Sequence, residues 1–152
     1  MAVYQIVEIG DEVLRQKAQK IKKITPQVEK LLQNLKDTLL SSDLGVGLAA
    51  PQIGVPKCAI AVHLDEKLYQ LINPEIVAAE GAVVDHEGCL SVPGVIGDVK
   101  RAAKVTVWAL DEKGEEVIIE AEGLLARIFQ HEIDHLKGIL FIDRAENIQT
   151  ME

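Results

Sequence analysis

Apolar side chains in the segment TPQVEKLLQNLKDTLLSS recur at Val28, Leu31, Leu32, Leu35 and Leu39, the three- and four-residue spacing of one helix face. Thr25 is placed to be the N-cap and Pro26 the first helical residue, so the pattern predicts an amphipathic helix of about four turns. The next stretch, LGVGLAAPQIGVP, mixes glycines and prolines with small apolar residues and reads as a loop rather than a regular element. From Lys57 to Glu120 the texture changes to KCAIAVHL, LYQLINP, AKVTVWAL and EEVIIEAE, runs rich in Val and Ile that turn signals interrupt. These read as strands, antiparallel because the connections are too short for crossover helices. In KCAIAVHL, alternation places Cys58, Ile60 and Val62 on one face and Ala59, Ala61 and His63 on the other, with Cys58 in the core and His63 toward solvent. EGLLARIFQHEIDHLKG is again helical, with Gly138 as its stop. The order helix, strands, helix predicts an α+β fold with the last helix packed on the sheet.

No repeat, low-complexity tract or linker divides the 152 residues, and 48% of them are hydrophobic, enough for one domain spanning 1–152 without disulfide staples. Charge then narrows the partners. With 24 acidic against 16 basic residues the formal net charge is −8, and no basic run is present to clamp a phosphate backbone, so direct nucleic-acid binding is not expected. The N-terminus lacks the pattern of a secretory signal, and nowhere do roughly 18 apolar residues run uninterrupted. The expectation is a soluble, unexported, cytoplasmic protein without membrane association. Two cysteines, Cys58 and Cys89, are too few for a disulfide framework.

Chemistry enters with QHEIDH, residues 130–135. Residues four apart on a helix share a face, so His131 and His135 can present two imidazoles to one ion with Glu132 beside them. Leu124 and Ile128, on the same face, are apolar and turn that face inward, where unpaired polar groups are costly. A third protein ligand is then required. The metzincin pattern would supply a third histidine where this chain has Phe141, and the short tail ILFIDRAENIQTME leaves no helical subdomain for a downstream glutamate; Glu146 is a poor candidate. The third ligand is therefore upstream, among Cys58, His63, His86, Cys89 and several carboxylates. Cys89 sits in HEGCLSVPG, where glycines and a proline imply a loop or irregular strand, and its thiolate can reach a metal. His86 reads better as a surface or turn histidine.

GVGLAAPQIG, EGCLS and QHEIDHLKG, in that order, resemble the three signature motifs of the peptide deformylases, and the likeness extends to the INP after the second strand and to GLLARIFQ. The resemblance implies an α+β fold with antiparallel strands around a central helix carrying the histidine pair. It implies Cys89, His131 and His135 as metal ligands, Glu132 as general acid and base, and Gln52 with the backbone N–H of Leu90 as donors to the oxyanion. The implied reaction is hydrolysis of the N-formyl group on the first methionine of a nascent polypeptide, releasing formate, a step of N-terminal processing in protein biosynthesis.

Gly45 and Gly47 would let backbone approach the substrate closely, and Val46, Leu124 and Ile128 are the candidates for an apolar methionine pocket. Arg127 belongs either at the pocket rim or on a solvated helix face, and Asp134 is expected to pair with Arg101. Two nitrogens and a sulfur alone read as Zn²⁺. The resemblance points instead to Fe²⁺ in the cell, with Zn²⁺, Ni²⁺ or Co²⁺ able to occupy the site. The chain lacks the long C-terminal helix associated with ribosome docking in many bacterial members, so at most weak ribosome association is expected. A short endopeptidase and a non-catalytic metal-binding protein are the alternatives; Phe141 argues against the first, and Glu132 together with Gln52 against the second.

Overall fold

The computed structural model describes residues 3–43 and 45–150. In chain order the elements are α1 (Pro26–Leu40), β1 (Gly47–Ala49), β2 (Ala59–Leu64), β3 (Lys67–Glu80), β4 (Val83–Cys89), β5 (Val92–Arg101), β6 (Lys104–Leu110), β7 (Glu116–Glu122), α2 (Gly123–Leu136) and β8 (Glu146–Thr150). Two antiparallel sheets result, one ordered β1-β2-β3-β6-β7 and the other β4-β5-β8. The fold is α+β with antiparallel sheets, as the order of elements implies.

Helix α1 begins where the sequence places it, with the Thr25 hydroxyl accepting the Val28 N–H at 3.2 Å. That bond satisfies one of the donors a first helical turn leaves unpartnered. Leu31, Leu32, Leu35 and Leu39 form its buried stripe. The same residues pack on Ala59 and Ala61 of β2, while Ile60 and Val62 face the opposite way into a cluster with Phe129 and Ile133 of α2. A helix thus covers each face of the five-stranded sheet at β2. The expected alternation of faces holds, and both faces are covered: Ala59, Ile60, Ala61 and Val62 are all fully buried. Cys58 is only half-buried, packed against the α2-side cluster, and His63 is partly buried rather than solvent-facing.

The glycine- and proline-containing stretch is also more regular than the sequence suggests. Gly47–Ala49 pair with β2 as an edge strand, and Ala50–Ile53 form a 3-10 turn that Gly54 ends at φ 83°. At INP, the register between β3 and β6 shifts from Ile72 to Glu75, since Pro74 has no N–H for the ladder. Asn73, at φ 53°, turns its amide onto the N-terminal segment, accepting from Ile21 N at 2.9 Å and donating to Ile21 O at 2.8 Å. Strands β4, β5 and β8 have sequence patterns too polar or glycine-broken to be foreseen as strands.

Helix α2 lies against β1, β2, β6 and β7 and meets the second sheet through side chains. It ends at Lys137 with Gly138 in the left-handed region, φ 77°, as expected. A side chain at Gly138 would meet the backbone oxygen of Arg15 at 2.5 Å, so glycine is required for close approach as well as for conformation. Phe129 anchors the helix: it is fully buried, with its ring edge-on to Tyr69 at 5.3 Å between centroids. Replacing Phe129 by Ala should cost about 3–5 kcal/mol of unfolding free energy, read from the shift of a urea unfolding midpoint at unchanged slope.

Candidate active site

Strand β4 and helix α2 bring the candidate ligands together. Sγ of Cys89, at the end of β4, lies 3.4 Å from Nε2 of His135, and one donor atom from each of Cys89, His131 and His135 falls within 4.8 Å of the other two. Cys89 occupies an irregular strand end, since the β4–β5 register shifts between Glu87 and Cys89. The rivals are elsewhere or point elsewhere. His86 is a surface residue, as expected, on β4 rather than in a turn, its exposed side chain pairing with Asp98 at 2.6 Å, and Cys58 Sγ lies 3.4 Å from Ala18 O. Glu146 is exposed on β8.

A residue the sequence reading passed over orients this cluster. Glu87, buried two residues before Cys89, has Oε1 2.9 Å from Nδ1 of His131. An N–H donated there leaves Nε2 of His131 with its lone pair toward the cluster. Arg101 grips the same carboxylate through Nε and Nη2, both at 2.9 Å, and Arg127 adds a bond to Oε2 at 2.5 Å. Arg101 also reaches Asp134 at 2.6 Å, the expected pairing, and Arg144 joins Asp134 at 2.7 Å. The available signal was position: Glu87 shares a strand with Cys89 two residues on, and an acid so close to a ligand is suited to hold a histidine. Phe141, in the slot where a protease would carry its third histidine, instead stacks on the His131 ring, 6.2 Å between centroids and 21° between planes.

Burial and charge set the protonation of these groups. Burial alone would raise the Glu87 pKa, but the hydrogen bonds and charges of Arg101 and His131 outweigh it and bring the group to about 2. Burial lowers the proton affinity of His131, yet its bonds to Cys89 and Glu87 and the charge of Glu132 reverse that and favour the cation. A metal ion would compete with that proton for the Nε2 lone pair, so its binding there would release the proton. Burial, reinforced by the His131 charge, lowers His135 to about 3, keeping it a neutral donor. Burial raises Glu132 to about 7, against the opposing charge of His131, which suits a group that exchanges protons near neutral pH. Oε1 of Glu132 and Nδ1 of His135 are buried with no hydrogen-bond partner among the described residues.

Gln52 is buried beside Cys89, and its amide has a fixed sense. Oε1 accepts the Ala49 N–H at 2.9 Å, so the NH₂ group turns toward Ser91 Oγ at 3.1 Å and Cys89 Sγ at 3.5 Å. Ser91 is a second residue the sequence reading omitted. A cleft of about 550 Å³ opens over these groups, and Gly45, Val46, Gly47, Leu90, Leu124 and Ile128 all line it. Ile128 is buried, whereas Val46 and Leu124 are exposed at 40% and 56%, so these two stand at the mouth rather than the floor. A side chain at Gly47 would meet Glu132 Oε2 at 2.6 Å. Arg127 also lines the cleft, but it is 8% exposed and ion-paired, not a solvated helix charge.

A cysteine sulfur and two imidazoles around one point, with a buried carboxyl group and an amide alongside, make the donor set of a metal-dependent hydrolase. Comparison with known proteins agrees. The family described as "Polypeptide deformylase" matches residues 3–151. The peptide deformylase of Carboxydothermus hydrogenoformans is 62% identical over 148 residues, 97% of this chain and 97% of that protein. That of Desulfitobacterium hafniense is 59% identical, covering 96% of this chain and 97% of its own. The solved Thermotoga maritima peptide deformylase superposes with a TM-score of 0.92 at 37% identity, covering 96% of this chain and 99% of that one. The Synechococcus elongatus enzyme, solved in complex with actinonin, gives 0.90 at 43% identity, covering 95% and 79%. This chain belongs to the peptide deformylase family, metal-dependent hydrolases that remove the N-formyl group from nascent formyl-methionyl polypeptides.

The ion-pair network makes a testable statement about acid stability. Because the folded-state pKa of Glu87 is depressed from 4.5 to about 2, its contribution is present above about pH 4.5 and is lost as pH falls toward 2. Unfolding free energy measured against pH should decline through that window, and Glu87→Gln should flatten part of the decline. At pH 7 the same variant should be less stable by about 3–5 kcal/mol, because Arg101 and Arg127 are left buried without their shared anion.

Proposed function

We propose that residues 1–152 form a single catalytic domain in which α2 is the central, HExxH-bearing helix and Cys89, His131 and His135 bind one divalent ion, Fe²⁺ in the cell, with Zn²⁺, Ni²⁺ or Co²⁺ able to replace it. The observation that carries the reading is the convergence of three donor atoms within 4.8 Å, beside a buried carboxyl group whose Oε1 has no hydrogen-bond partner among the described residues. One sulfur and two nitrogens suit any of these ions, and the bond from Glu87 already turns His131 in the required sense. When bound, the ion supplies Lewis acidity, which acidifies water and polarises a carbonyl oxygen.

The chain's own groups do the rest. Glu132 takes a proton from the attacking water and delivers it to the leaving nitrogen, so the peptide departs as a free amine and the acyl fragment as formate. As the formyl carbon becomes tetrahedral its oxygen gains negative charge, and the Gln52 NH₂ group and the Leu90 backbone N–H donate to it. Ala49 N–H supports this by holding Gln52 with its NH₂ toward the cleft. Gly47 leaves the space into which Glu132 Oε2 projects, and a side chain there would displace the carboxyl group. Ile128 supplies a buried apolar wall for the methionine side chain, and Gly45, Val46 and Leu124 border the entrance. An apolar pocket distinguishes side chains by only about 1–3 kcal/mol per methylene, so preference for methionine is graded rather than absolute.

A net charge of −8 opposes tight attachment to RNA phosphates, which favours free nascent chains as partners, with weak ribosome association and no direct nucleic-acid binding. No helix among the described residues is long and apolar enough to cross a membrane. Together with free cysteines and a substrate made on ribosomes, this supports action in the cytoplasm without membrane attachment.

Formate release from a formyl-Met peptide, measured anaerobically with metal-loaded protein, tests the reading; cleavage inside an unformylated peptide would contradict it. Glu132→Ala should abolish turnover while retaining one metal equivalent, and Cys89→Ala should lose the metal. Gln52→Ala should lower kcat by about a hundred- to a thousand-fold. For Gly47→Ala a loss on the order of a hundred-fold in kcat is expected, with circular dichroism unchanged.

A further inference from the structure

We propose that Arg127 is a positioning residue of the metal site, a clasp that sets the separation between the strand bringing Cys89 and the helix bringing both histidines. The inference rests on the reading of Cys89, His131 and His135 as ligands. Arg127 and His131 stand one turn apart on the same face of α2, and both engage Glu87 of β4, Arg127 at Oε2 (2.5 Å) and His131 at Oε1 (2.9 Å). One carboxylate is therefore held by two points of a single helix face. Cys89 follows Glu87 by two residues on the same strand, so whatever fixes Glu87 against α2 fixes the thiolate against the imidazoles.

The remaining donors of Arg127 extend the hold. Nη1 also bonds Val99 O in β5 at 2.9 Å, and Nη2 bonds Val83 O at the start of β4 at 2.8 Å. A single side chain of α2 thus grips two of the three strands of the sheet that carries Cys89, β4 and β5, with which the helix shares few backbone contacts. Arg101 does not make this redundant. It links Glu87 to Asp134, on the other side of His131 along α2, so tethers at 127 and 134 bracket the histidine and together fix the roll of the helix. A lysine has no planar fork and cannot meet a carboxylate and two carbonyls in this arrangement.

The test uses full-length protein loaded with Co²⁺, comparing wild type with Arg127→Met, Arg127→Lys and Cys89→Ala. Three readouts are taken: the Co²⁺ absorption bands, the rate of Co²⁺ loss to excess chelator, and kcat and KM on a formyl-Met peptide. Arg127→Met should shift the d–d bands, lose Co²⁺ about 10- to 100-fold faster and lower kcat more than it raises KM, with Arg127→Lys intermediate. Wild-type bands and loss rates in both Arg127 variants would overturn the proposal, whatever happens to thermal stability or KM, and would leave Arg127 as a cleft wall. Should Arg127→Met fail to fold, Arg127→Lys decides alone: faster loss with shifted bands supports the clasp, and wild-type retention overturns it. A thiolate-to-metal band that survives Cys89→Ala would instead remove the ligand reading beneath the proposal, a failure the other readouts do not imitate.

Discussion

A carboxylate taken out of water stays charged only where other groups replace its hydration, and Glu87 meets that condition with two guanidinium groups and an imidazole. The architecture of the site depends on this one group. Cys89 arrives on a three-stranded sheet, His131 and His135 on a helix whose apolar face belongs to the other sheet, and apolar packing alone does not specify their mutual distance. Charge does, because hydrogen-bonded ion pairs have narrow distance and angle limits whereas hydrophobic contacts slide. The cost of desolvating these charges means the network adds little net stability for its size; what it contributes is a defined geometry.

Positive and negative groups around the candidate ligands put two buried carboxyl groups, Glu87 and Glu132, in opposite surroundings. Glu87 is held ionised by cations, while Glu132, which has no ion pair among the described residues, is raised by burial to about 7. Two carboxyl groups within one site therefore differ in protonation because of what surrounds them. One stays ionised and holds His131, and the other has a proton affinity near neutral pH.

Much of this was legible in the sequence because it is local. The cap at Thr25, the stop at Gly138 and the histidine pair are all set by residues within a turn of each other, and the order of three short motifs named the family. What escaped was set by tertiary packing. The strand character of Gly47–Ala49 comes from pairing with β2, and the two-sided burial of Ala59–Val62 comes from helices distant in the chain. Arg127 stayed open between the cleft rim and a solvated helix face because nothing nearby in sequence marks its partners, which lie 28 to 44 residues away. Leu124 shows the converse: its place on the histidine face suggested burial, but the first turn of α2 projects beyond the core and leaves it exposed.

The close passage of Arg15 over Gly138 bears on the order in which the molecule assembles. Ala18 N–H bonds the last helical carbonyl, Leu136 O, at 2.9 Å, and Arg15 pairs with Asp143 across 128 positions of sequence. Residues 15 to 18 therefore dock on a surface that exists only once α2 and the turn after it are in place. Contacts of such large sequence separation carry a high closure entropy, so this clasp over the end of α2 is a step that the local elements precede rather than one that nucleates them.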